Sequence, residues 1–191
     1  MIRAITTALL LLACAPLRAG DALSAVELLV ERRYDVAQIS VAELRQQLAA
    51  DADVPLLFDV REPEEYAVSH LPGALRLDPQ ISAADFVRQY GPQIAGRRLL
   101  FYCAVGMRSG RLAEQLQPEL SARGAQSVAN LRGGIFRWQG EGGPLQNAAG
   151  PTRFVHPYDR RWGQLIPNDG PRRLTPEPRL AQSKPPPAAA D

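Results

Sequence analysis

The stretch Cys103-Ala104-Val105-Gly106-Met107-Arg108-Ser109 places a thiol and a guanidinium at the two ends of one short loop, with four residues between them and a glycine among the four. A thiol attacks as its thiolate, and a free cysteine, with a pKa near 8.5, is only about 3% ionised at neutral pH. Making the thiolate the majority form takes roughly 2.7 kcal/mol of preferential stabilisation, the equivalent of about two pKa units. Three features of the stretch are suited to supplying it. The backbone N–H groups of a tight loop can converge as an anion nest. A helix beginning near Ser109 turns its positive end toward the loop. Arg108 adds a permanent charge, and Gly106 admits a backbone conformation that other residues resist. The expectation is nucleophilic chemistry at Cys103, with Ala104, Val105, Gly106, Met107, Arg108 and Ser109 forming the substrate-holding loop.

Loop length narrows the choice of anion. Tyrosine phosphatases of the Cys-x5-Arg type have five intervening residues and a cradle wide enough for a phosphoryl group. Four make a tighter ring, which favours a transferred sulfur atom. Asp59 and Arg61, at the end of a second apolar run, are read as supports that hold the site's architecture, and Glu65 is read as structural too. His70 lies in a Pro-Gly turn and is assigned a structural role. His156 stands apart from any Cys, His or acidic cluster with metal-ligand spacing, so no metal is expected. Trp138 is assigned to the core.

These residues need elements to position them. Val54 to Val60 and Arg97 to Tyr102 read as buried strands, Ala74 to Leu77 and Ser127 to Leu131 as shorter ones. Ser40-Val41-Ala42-Glu43 is a capping box opening a helix to about Ala50, with Ile39 and Leu44 as its staple. Pro63 marks a first helical turn among Glu62, Glu64 and Glu65. Asp85 to Tyr90 is predicted helical. Ser109 to Arg123 is the best helix, with Leu112, Leu116 and Leu120 on one face and Gly124 as its stop, but Pro118 is predicted to kink or shorten it. Ile135, Phe136 and Trp138 follow Arg132-Gly133-Gly134 in a short helical or turn segment. Strands alternating with helices imply an α/β fold with a parallel sheet covered on both faces. Ligands in such folds collect at the carboxyl ends of strands, which is where Cys103, Asp59 and Arg61 fall.

The flanks differ in composition. Residues 1–22 have the form of an export signal: Arg3, an apolar stretch from Ala4 to Ala13, then small residues at Ala15, Ala19, Gly20 and Ala22. The expectation is export, to a bacterial periplasm, with cleavage near Ala19. Lipidation at Cys14 within Leu11-Leu12-Ala13-Cys14 is the alternative. Loss of Cys14 leaves Cys103 as a single thiol with no internal disulfide partner. The apolar stretch falls short of the roughly 20 residues a spanning helix needs, and no transmembrane segment is expected. Residues 23–36 form an extension in which Ala22 to Arg33 suits a short helix, and 37–146 form the main domain. Residues 147–191 supply an arm, with His156-Pro157-Tyr158 and Trp162 to Ile166 packing across the domain, and a Pro/Arg-rich tail from Pro167 that is expected to be extended or disordered. Beyond residue 150 there are seven basic and four acidic side chains, which leaves the domain itself mildly acidic. Without a basic stripe, nucleic acid is excluded as the main partner. A protein partner docking on the tail stays open.

Four pieces in register carry a resemblance. They are Asp59-Val60-Arg61-Glu62 through Glu65-Tyr66, His70-Leu71-Pro72-Gly73-Ala74, the Cys103 to Ser109 loop, and Leu131-Arg132-Gly133-Gly134 with Trp138. Over about residues 37–145 the chain resembles a single-domain rhodanese, a sulfurtransferase. The resemblance implies a parallel five-stranded sheet flanked by helices, and a Cys103 that takes a sulfane sulfur from a donor such as thiosulfate, holds it as a persulfide and yields it to cyanide or a thiol. It implies no metal or organic cofactor. Many members carry a basic residue directly after the nucleophile, where this chain has Ala104. Arg108 is then the only charged side chain of the loop, and a more apolar or protein-borne persulfide becomes an alternative donor. Two other functions stay open: a rhodanese-like interaction or regulatory module with little turnover, and a small phosphatase or arsenate reductase on the same scaffold.

Overall fold

The computed structural model describes residues 19–50 and 54–176. The expected signal segment falls mainly on residues before 19, and the end of the Pro/Arg-rich tail on residues after 176, both outside the described residues.

Five parallel strands form the central sheet: β1 (Ala37–Ile39), β2 (Leu56–Asp59), β3 (Leu75–Arg76), β4 (Arg98–Tyr102) and β5 (Ser127–Leu131). Their order is β1-β5-β4-β2-β3, so β4 is the middle strand. It pairs with β2 from Leu56–Leu99 to Asp59–Tyr102, and with β5 from Arg98–Ser127 to Phe101–Asn130. Alternation along β4 sends Leu99 and Phe101 to one face and Leu100 and Tyr102 to the other. On the first face, Phe58, Phe86, Tyr90 and Phe101 pack as an aromatic cluster. The leucines 112, 116 and 120 of α5 (Met107–Ala122) close over it, beside α4 (Ala83–Tyr90). The second face is covered by α2 (Val41–Ala49), α6 (Gly134–Gly140) and α1 (Ala19–Arg33), through Leu44, Phe136, Trp138 and Leu23.

Local chemistry accounts for where the helices start. Ser40 Oγ accepts from the Glu43 N–H at 3.2 Å and Glu43 Oε2 accepts from the Ser40 N–H at 2.7 Å, completing the capping box. Ser82 Oγ caps α4 by accepting from the Asp85 N–H at 3.1 Å. Pro63 opens α3 (Pro63–Val68), where its missing N–H costs nothing.

Two expectations about α5 change. The helix begins at Met107, two residues before Ser109, because Gly106 adopts φ 94° and its carbonyl takes the Gly110 N–H at 2.9 Å. It is not shortened at Pro118 but runs through it to Ala122. Leu112, Ala113, Leu116 and Leu120, all buried on both sides of the proline, hold the helix against the sheet and offset the lost hydrogen bond.

After α6 the chain makes a small antiparallel hairpin, β6 (Leu145–Asn147) and β7 (Gly150–Thr152). It is tied to the main domain where His70 and Gln146 exchange backbone hydrogen bonds of 2.8 and 3.0 Å. Val155 and Ile166 then enter the core on the α1 and α6 side, both buried. Two 3-10 turns, Trp162–Leu165 and Pro167–Asp169, pack on α1, and Val155 exchanges backbone hydrogen bonds with Pro171 and Arg173, so the tail expected to be extended or disordered from Pro167 is instead folded onto the domain at its start. Among the described residues no helix is long and apolar enough to cross a membrane.

Candidate active site

Cys103 follows the last residue of the middle strand, where neighbouring strands hold the chain on both sides. The Val60 N–H donates to the Tyr102 carbonyl at 2.8 Å, which fixes the end of β4 against β2. Beyond it the loop turns under the first turn of α6. The Ile135 N–H donates to the Cys103 carbonyl at 2.9 Å and the Phe136 N–H to the Ala104 carbonyl at 3.1 Å. All peptides here are trans, so drawing these two carbonyls toward α6 turns the N–H groups of Ala104 and Val105 away from it. The Gly106 N–H donates to Cys103 Sγ at 3.2 Å. The sulfur thus has the Gly106 N–H as a backbone donor, while the Cys103 and Ala104 carbonyls are drawn off by α6. Gly134 makes the close approach possible: a Cβ there would lie 2.3 Å from the Cys103 carbonyl oxygen.

The far side of the loop is held by a residue the sequence analysis missed. Asn130, fully buried on β5, donates from Nδ2 to the Gly106 carbonyl at 3.1 Å and to Gln38 Oε1 at 2.8 Å, and its Oδ1 accepts from Ser109 Oγ at 2.7 Å. An asparagine inside the strand Ser127–Leu131 was the available signal, since a buried amide needs partners.

The structure places Arg108 at the rim, in a bidentate pair with Glu65 (Nη1 to Oε2 2.7 Å, Nη2 to Oε1 2.8 Å). Glu65 is buried and also accepts from the Glu62 N–H at 3.1 Å. The Tyr158 ring lies over the guanidinium, 4.8 Å from its centroid. Burial alone would make Arg108 less basic, but its hydrogen bonds to Glu65, with the charges at Cys103 and Glu65, raise its pKa overall. The loop is thus closed from both ends, by Asn130 within and by Glu65 without.

Asp59 and Arg61 form a second pair, fully buried: Nε to Oδ1 2.8 Å, Nη2 to Oδ2 2.6 Å, with Nη2 also donating to the Ser69 carbonyl at 2.6 Å. This pair joins the end of β2 to the end of α3. Neither residue lines the pocket beside Cys103. His70 is stacked flat on Tyr66 at 3.9 Å, with Nδ1 3.1 Å from the Tyr66 carbonyl, and burial lowers its pKa. Trp138 is buried and donates from Nε1 to the Pro144 carbonyl at 2.9 Å.

A pocket of about 140 Å³ opens over the sulfur. The loop contributes Cys103, Ala104, Val105, Met107 and Arg108, and the C-terminal arm contributes Tyr158 and Trp162. Those two aromatics are the other functional candidates that the sequence did not assign to the site. His156 belongs to the same arm, where its Nδ1 accepts from the Tyr158 N–H at 3.0 Å.

Comparison with known proteins adds to this geometry. Residues 40–141 match the family described as "Rhodanese-like domain". The chain is 34% identical over 113 residues to a sulfurtransferase of Allochromatium vinosum, covering 58% of this chain and 94% of that one. It is 36% identical over 101 residues to a thiosulfate:glutathione sulfurtransferase of Homo sapiens, covering 48% of this chain and 85% of that one. It is also 36% identical over 104 residues to a tRNA uridine(34) hydroxylase of Shouchella clausii, covering 52% of this chain but spanning only 30% of the hydroxylase. The matched family span ends before Tyr158 and Trp162.

Proposed function

The chain belongs to the rhodanese-like domain family, and from that premise we propose that it is a sulfurtransferase that carries sulfane sulfur as a persulfide on Cys103. The observation that supports this most directly is the Gly106 N–H on Cys103 Sγ, in a loop whose carbonyls at 103 and 104 are drawn off by α6. Such a cradle stabilises negative charge on sulfur both before and after transfer.

The reaction has two displacements. The Cys103 thiolate attacks the outer sulfur of a donor such as thiosulfate. A new S–S bond forms at Cys103, the donor's S–S bond breaks, and sulfite leaves with the electron pair. A cyanide ion or thiolate then attacks the outer sulfur of the persulfide, and the Cys103 thiolate is released. Neither half needs a proton from a positioned acid, so His70 has no part in it. Alternation of two half-reactions predicts ping-pong kinetics.

Mass spectrometry after incubation with thiosulfate or polysulfide tests the reading. The protein is expected to gain one sulfur atom at Cys103, and Cys103→Ser none; equal behaviour of the two refutes it.

Export to the periplasm is proposed on the sequence of residues 1–22 alone. Cleavage after Ala19 would leave the α1 anchors Leu23 and Val30 in place. The mass of protein recovered from a periplasmic fraction checks this.

A further inference from the structure

We infer that Tyr158 and Trp162 are specificity-determining residues of the Cys103 pocket, and that its donors carry their sulfane sulfur on an apolar organic group rather than on a small dianion such as thiosulfate. This rests on the sulfurtransferase reading of the same site.

The pocket offers a ligand mostly apolar surface. Besides Cys103 and Arg108, its lining is Ala104, Val105, Met107 and the two aromatics of the arm. Arg108 is engaged: both Nη atoms are bonded to Glu65 and the Tyr158 ring covers the guanidinium. To a ligand it presents an ion pair with little net charge. Ser109, the remaining polar side chain of the loop, gives its hydroxyl to Asn130. A thiosulfate entering here must strip water from its sulfonate oxygens, and against its two charges the lining sets no free cation, only the neutral Tyr158 hydroxyl and Trp162 indole N–H, which leaves a cost. An organic group gains instead, by burying apolar surface against the tyrosine and indole rings.

The arm is built to hold those rings in place. Tyr158 has φ 65°, a conformation a bulky residue adopts only when its surroundings impose it. The imposing contacts are its own N–H on His156 Nδ1 and, one residue on, Asp159. Asp159 Oδ1 accepts from the N–H groups of both Arg161 and Trp162 at 2.8 Å. Val155 and Ile166, buried on either side, fix the ends of the segment. Backbone strain beside the reacting sulfur, held by this many contacts, is the mark of a positioned wall.

Transfer from such a donor balances as before. With benzenethiosulfonate as the probe, the Cys103 thiolate bonds the terminal sulfur, the S–S bond breaks, and benzenesulfinate leaves with the electron pair. This probe shares the sulfonyl-sulfane chemistry of thiosulfate but bears one charge and a ring.

The test measures the rate of Cys103 persulfide formation with each donor in the full chain. The unaltered protein is expected to favour benzenethiosulfonate by about tenfold or more in second-order rate constant, the scale of one apolar group in a pocket. Tyr158→Ala and Trp162→Ala are expected to erode that preference, slowing benzenethiosulfonate more than thiosulfate, while Tyr158→Phe keeps it. Equal use of the two donors, or a preference for thiosulfate, overturns the inference and leaves the sulfurtransferase reading standing. Alanine variants that slow both donors equally assign the arm a structural role and overturn it too. Failure of both donors to load Cys103 overturns both readings.

Discussion

Asn130 and Arg108 hold the nucleophile's loop from opposite sides, and each has a distinct cost of removal. Asn130→Leu would leave the buried Ser109 Oγ without its partner, take the Asn130 amide from the part-buried Gln38 side chain, and leave the Gly106 carbonyl with the Gly110 N–H alone. Buried polar groups left unpaired cost about 1–3 kcal/mol each. The variant is expected to lose at least about 2 kcal/mol by urea denaturation, and to form the Cys103 persulfide more slowly because Gly106 is no longer fixed. Arg108→Ala would strand the buried Glu65 carboxylate, and breaking such a pair from one side is costly. Arg108→Ala with Glu65→Gln is expected to recover part of the stability lost in Arg108→Ala, and a double-mutant cycle measures the coupling. At Gly134 even one methyl is too much, because its Cβ would meet the Cys103 and Ala104 carbonyls at 2.3 and 2.7 Å. Gly134→Ala is expected to slow persulfide formation more than any substitution on the outer face of α6, as read by loading kinetics.

At the scale of elements, the working part of the fold is a strand end roofed by a helix start. β4 delivers Cys103, α6 orients the loop from one side, and α5 begins immediately after it. The arm completes the pocket from outside the matched family span, and its position depends on how firmly Ile166 and Val155 are buried. Ile166→Ala is expected to destabilise the protein by about 2–4 kcal/mol, as for other buried aliphatic truncations. If the arm is what places Tyr158 and Trp162, the same variant also changes donor preference. Ser40→Ala, at the N-terminus of α2, removes one side of the capping box and is expected to cost about 1 kcal/mol without affecting the pocket. Thermal melts and loading rates together separate the two behaviours.

At the scale of the whole molecule, the segments before and after the domain meet. α1 packs on the 3-10 turns of the arm, and Glu27 of α1 pairs with Arg137 Nε at 2.7 Å beside Gly133, so the two flanks of the domain support each other and α6. Its response to acid follows from two histidines whose pKa values are lowered, in each case chiefly by burial. Above the unfolded value near 6.5, both states are neutral and stability is complete. As pH falls through that value the unfolded chain takes up protons first, so stability drops until the lower native values are reached. Denaturation midpoints are expected to be lower at pH 5.5 than at pH 7.5, and His70→Gln is expected to flatten that difference. A midpoint independent of pH in this window contradicts the assignment.

The chain's local grammar was enough to set out four of the five strands of the parallel sheet, the capped helix at Ser40 and a thiol loop closed by an arginine, while the edge strand β1 went unread. Each of these is decided within a few residues, by alternation of apolar side chains, by a cap or by a glycine at a turn. Contacts between distant segments were beyond that reach. The partner of Arg108 lies 43 residues away, and Asn130 reaches Gln38 across 92. No periodicity records such pairings, because they exist only once β1 lies beside β5 and β2 beside β4. The early start of α5 came from the same source, since Gly106 can cap it only when Asn130 and α6 have fixed the loop. Tyr158 and Trp162 were legible as an arm but not as a wall of the pocket. Burial of Val155 and Ile166 against α1 and α6 decided that, and burial is a property of the assembled core rather than of any stretch of sequence.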